Sequence, residues 1–105
     1  MAKPTPKRQF VYFIKPARED FLPDNATDFE KSQIAAHWDY IQTHHDAGTV
    51  IMVGRTTEPP FMAMAVFEAE DEECARAFME RDSAIASGVC VGEIRPFQTF
   101  LLAKD

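Results

Sequence analysis

Three stretches of this chain are apolar on both faces of an extended strand, and this constrains the fold more than any other feature. In the first, Phe10, Tyr12 and Ile14 alternate with Val11 and Phe13. In the second, Val50 and Met52 lie opposite Ile51 and Val53; in the third, Met62, Met64 and Val66 lie opposite Ala63, Ala65 and Phe67. An antiparallel sheet with one wet face alternates apolar with polar residues. These strands do not, so each of their faces has to be covered.

The order of elements says how much cover the chain can supply. Residues 9–14 form a β-branched and aromatic strand that Pro16 stops. Thr27 and Glu30 have capping-box spacing, which starts a helix of about 19 residues running to His45 or Asp46, with Gly48 as its left-handed terminator. Strands over 49–53 and 61–67 follow, separated by a turn at Thr57-Glu58-Pro59-Pro60. The acidic residues 70–73 open a second helix that ends near Arg81 or Asp82 and buries Cys74, Ala77, Phe78 and the stem of Arg81. A last strand spans 89–94 before Pro96 breaks it, ahead of an apolar tail.

The chain therefore reads as one α+β domain over 9–105, β-α-β-β-α-β, behind a disordered basic tail over 1–8. Two helices cover one face of a four-stranded antiparallel sheet. The other face needs a second copy, and a homodimer through the sheet faces is expected.

Composition narrows the function classes. With 105 residues the chain is one domain. Its net charge of −6 excludes a nucleic-acid-binding surface, which needs a basic face. No apolar run reaches the ~20 residues of a membrane span, and the N-terminus lacks the apolar segment of a secretory signal. Cys74 and Cys90 carry no motif and read as buried, reduced structural thiols in a cytoplasmic protein.

His37 is the residue with chemical promise. Ile34, Trp38 and Ile41 form an apolar helical stripe, and His37 falls about 60° to one side of Ile34, where a helix meets both sheet and solvent. An imidazole with one buried and one open flank is placed for proton transfer, although a lone helix histidine with no chemistry has the same pattern. Two helices side by side on one sheet face bring the end of the second towards the middle of the first. Asp82 is thus the carboxylate to orient His37, unless it is merely a helix-end residue. Arg55, Ser83 and Tyr12 are candidate substrate contacts: a guanidinium at a strand end for an anion, a hydroxyl beside Asp82, and a phenol that lines a pocket or packs in the core. No metal or other cofactor is expected. His37 and His44 are about 10 Å apart along the helix, His44 and His45 diverge by about 100°, and His45 falls on the stripe as a core residue. No glycine-rich phosphate loop or nucleophile elbow is present.

The pieces Phe10-Val11-Tyr12-Phe13, His37-Trp38-Asp39-Tyr40-Ile41, His45-Asp46-Ala47-Gly48, Val53-Gly54, Val66-Phe67-Glu68, the run 82–89 and Ile94-Arg95-Pro96-Phe97 resemble the YciI-like (YCII-related) family in order and spacing. That resemblance implies a ferredoxin-like, dimeric α+β barrel with a histidine–aspartate centre, which maps onto His37 and Asp82. Arg55 and Ser83 stand where family members often carry proline, a departure at the rim of the implied pocket. A relative that eliminates HCl from a hydroxyquinone implies that such a centre supports acid–base elimination. Two function classes remain: a cofactor-independent lyase- or isomerase-like enzyme acting on a small metabolite, anionic or aromatic, and a non-catalytic dimeric ligand-binding or assembly module.

Overall fold

A computed structural model describes residues 8–103. The tail expected over 1–8 lies outside these residues except for Arg8, which opens the first strand. The elements are β1 (Arg8–Pro16), α1 (Asp28–Asp46), β2 (Val50–Arg55), β3 (Ala63–Ala69), α2 (Glu72–Glu80), α3 (Ser83–Ala86) and β4 (Cys90–Phe97), with a 3-10 turn at Pro23–Asn25. The antiparallel sheet has the order β2-β3-β1-β4, the ferredoxin-like arrangement in which the two β-α-β units interleave.

Local chemistry sets the ends of α1. Thr27 accepts the Glu30 backbone N–H at 3.1 Å, and Glu30 accepts the Thr27 N–H at 2.8 Å, closing the capping box. At the other end Gly48 takes φ +87°, a left-handed conformation that would be strained for any residue with a side chain. Asp71 caps α2 by accepting the Cys74 N–H at 2.8 Å.

The core lies between the sheet and the helices. Phe10, Tyr12 and Ile14 of β1, Ala65 and Phe67 of β3 and Ile94 of β4 pack with Ile41, Ala75, Met79 and Ala84 from the helical layer. Phe67 and Phe78 stack at 4.6 Å, and Tyr12 meets Phe67 edge-on at 5.7 Å. Each such buried large side chain contributes about 1.5–3 kcal/mol. On the opposite face Val11 and Val66 are buried, Phe13 and Met64 are half-buried, and Met52 and Val91 are exposed.

Several expectations need correction. β4 runs through Pro96 to Phe97, and Pro96 pairs with Phe10. As an edge strand β4 tolerates a residue with no N–H. β2 starts at Val50, carries a register shift between Val50 and Met52, and passes Gly54 to include Arg55. β3 begins only at Ala63, because the Thr56 N–H bonds to the Met62 carbonyl and closes the turn there. α2 turns Ala75 and Met79 inward and leaves Cys74 and Arg81 exposed, with Ala77 and Phe78 half-buried.

The short helix α3, which is too brief to show a period in sequence, has the largest consequence. It packs against α1 and turns the buried stripe of α1 by one position, towards His37 and Ile41. Trp38 is left 40% exposed, and His45 is exposed where a core role was expected. His44 takes the inner place, 5.0 Å from the Phe78 ring.

Candidate active site

Asp82 is the structural pivot of the site. It is the N-cap of α3, and its Oδ1 accepts the Ala84 N–H at 3.0 Å. Its other oxygen, Oδ2, accepts the Tyr12 phenol at 2.7 Å and lies 2.6 Å from His37 Nδ1. The carboxyl group has no solvent exposure, and His37 is only 6% exposed. A buried carboxylate is tolerated when its oxygens are fully bonded, and this one has three partners from three elements. Among the described residues no buried side-chain nitrogen or oxygen lacks a partner.

This network assigns the two imidazole nitrogens. A carboxylate only accepts, so Nδ1 carries the hydrogen towards Asp82 and Nε2 carries the lone pair. Burial, followed by the Asp82 charge and the hydrogen bond to it, pushes the Tyr12 phenol well above its usual range, so it remains a donor. Tyr40, which donates to the Phe78 carbonyl at 2.7 Å, is pushed up to about 12, first by burial and then by Asp82.

His37 forms part of the wall of a cavity of about 620 Å³ at the end of the sheet where β1 and β2 finish. Ile34, Trp38, Phe61 and Met62 supply much of its apolar lining. With Nδ1 tied to Asp82, Nε2 is the nitrogen left for a ligand. A base held in this way exchanges protons with a bound molecule without needing to reorient.

The remaining candidates separate into three places. Arg55 lines the same cavity, exposed, with its guanidinium 5.8 Å from the Phe61 ring centroid. Ser83 is absent from the lining; its hydroxyl donates to Gln33 Oε1 at 2.5 Å and ties α3 to α1. Tyr12 sits behind Asp82 in the core; neither lines the cavity, and the network meets it through His37.

Cys90, expected as a buried structural thiol, lies half-buried in the cavity wall instead, with its thiol pushed up to about 11 by burial and then by Asp82 and Glu30. Strand alternation back from the buried Ile94 would have placed Cys90 on the inner face. Among the described residues no three His, Cys, Asp or Glu side chains are grouped to hold a metal ion, and no helix is long and apolar enough to cross a membrane.

Comparison with known proteins agrees with this architecture. The structure superposes on 5-chloro-2-hydroxyhydroquinone dehydrochlorinase from Burkholderia phenoliruptrix, solved with 2,5-dihydroxybenzoquinone, with a TM-score of 0.64 and 16% identity, covering 86% of this chain and 93% of that one. It is also similar to an uncharacterised protein from Thermotoga maritima, with a TM-score of 0.52 and 7% identity, covering 90% of this chain and all (100%) of that one. At such identities the likeness shows the fold alone. Among curated proteins none matches the chain. The YCII-related domain matches residues 10–98, nearly the whole described chain, and the protein belongs to the YCII-related family.

Proposed function

We propose that this protein is a small cofactor-independent enzyme of the lyase or isomerase kind. His37 is its general acid or base, and Asp82 orients it. The observation that carries this reading is the 2.6 Å contact between His37 Nδ1 and Asp82 at the wall of a cavity large enough for a small metabolite. Removal of a proton by Nε2, followed by loss of a leaving group or by reprotonation elsewhere, needs no more than this pair and contributes about 10²–10⁴ in rate. The dehydrochlorinase activity in the name of the structural neighbour is of the same class, which supports the reading as an analogy.

A homodimer belongs to the same proposal. Met52 and Val91 are 40% and 45% exposed on the outer face of the sheet, beside the half-buried Phe13 and Met64, and a second copy of that face would cover them. Sedimentation at micromolar concentration should give the mass of a dimer, and a stable monomer would refute this part. A reducing, cytoplasmic setting suits the unpaired Cys74 and Cys90.

The direct test is a metabolite screen against the wild type and His37→Ala, followed by NMR of the mixtures. A compound transformed by the first protein and not by the second supports the enzyme. If both proteins bind the same compounds and neither transforms them, the chain is a non-catalytic binding module.

A further inference from the structure

The charge of the cavity is opposite to that of the protein. The chain carries a net charge of −6, with 17 acidic residues. Yet the side chains at the cavity wall include the cations Lys31 and Arg55, and no Asp or Glu lines it. Among the described residues neither Lys31 nor Arg55 takes part in an ion pair. Glu30, the neighbour of Lys31 in sequence, is already held by the Arg18 guanidinium at 2.7 Å and by the Thr27 N–H at 2.8 Å. The two cations come from α1 and β2, so the fold and not a local charge run brings them together. The rest of the wall is mostly apolar, with Trp38 and Phe61 among its flat surfaces.

A cleft lined by one sign of charge on low-dielectric walls concentrates ions of the opposite sign, even on a protein of opposing net charge. We propose that the cavity selects a small organic acid: a carboxylate held by Arg55 and Lys31, on a flat apolar body lying along Trp38 and Phe61. Arg55 is the principal contact, since its guanidinium matches a carboxylate with two parallel N–H donors. Lys31 adds charge without that fixed geometry. This specificity rests on the same cavity as the enzyme reading and names the class of substrate that His37 would meet there.

Phenylacetate and its neutral isostere phenylacetamide separate charge from shape. Trp38 is the single tryptophan of the chain, so its fluorescence reports binding at this wall, with calorimetry as a second readout. The acid should bind about tenfold tighter than the amide or better, and raised salt should reduce the difference. In the double variant Arg55→Gln, Lys31→Gln the preference should fall to within about twofold. Both side chains are exposed, so the fold should be unaffected. Equal binding of acid and amide, no binding of the acid, or a preference that survives the double variant overturns the proposal. The outcome is independent of turnover. His37→Ala should keep the preference for the acid even where it abolishes chemistry, so the two readings fail separately.

Discussion

Replacing Tyr12 by Phe tests whether the buried phenol holds the site carboxylate, and its effect should depend on pH in a defined way. The ring stays in its place against Phe67, so no cavity opens and only the 2.7 Å hydrogen bond to Asp82 is lost. A hydrogen bond to a charged group contributes about 1.5–3 kcal/mol, and that is the expected loss near neutrality. The folded Tyr12 binds its proton more tightly than the unfolded one, whose value is about 10. Its contribution is therefore complete below that pH and declines as pH rises towards the folded value. The decline is about 1.4 kcal/mol per pH unit, because there the unfolded chain has released a proton that the folded chain keeps. Tyr40 and Cys90 titrate in both proteins and cancel in the difference. Urea unfolding of the two proteins between about pH 7 and pH 11 should show the gap constant at first and then closing above about pH 10. A gap below about 0.5 kcal/mol at neutral pH, or one that does not change with pH, would refute the reasoning.

Two further outcomes follow from the same network. Asp82→Ala leaves the Tyr12 hydroxyl, the His37 ring and the Ala84 N–H without their acceptor, and should lower stability by on the order of 3–6 kcal/mol, a large part of what a domain this size has. Thermal or urea unfolding measures it, and a loss under about 1 kcal/mol would mean that the three bonds do not share one buried acceptor. Cys90, raised to about 11, should be alkylated slowly near neutrality and faster as pH rises through that value, and a molecule filling the cavity should protect it. Fast labelling at neutral pH would contradict the burial of its thiol.

Much of the scaffold was legible because it depends on local chemistry. The Thr27–Glu30 box and Gly48 bounded α1 to within a residue, and the two-sided strands gave the sheet its order of elements. The approach of Asp82 to His37 also followed, since two helices on one sheet face must lie side by side. What was not legible depends on partners distant in sequence. The apolar pattern of α1 favours burying Trp38 over His37, and the structure reverses this because Asp82 satisfies the imidazole while Trp38 borders the cavity. A helix of four residues, α3, carries no detectable period, yet it decides which side of α1 is covered. The role of Ser83 as a tie to Gln33 depends on that same piece.

Asp82 holds His37 through Nδ1, which in the neutral ring leaves the lone pair of Nε2 for the cavity that His37 borders. Long-range proton–nitrogen NMR of the protein labelled with nitrogen-15 in its histidines reads this directly, since protonated and bare ring nitrogens resonate far apart. With the imidazole neutral, His37 should show a protonated Nδ1 and a bare Nε2, and a molecule that fills the cavity should shift Nε2 more than Nδ1. A hydrogen found on Nε2, or a ring that no cavity ligand perturbs, would contradict the account.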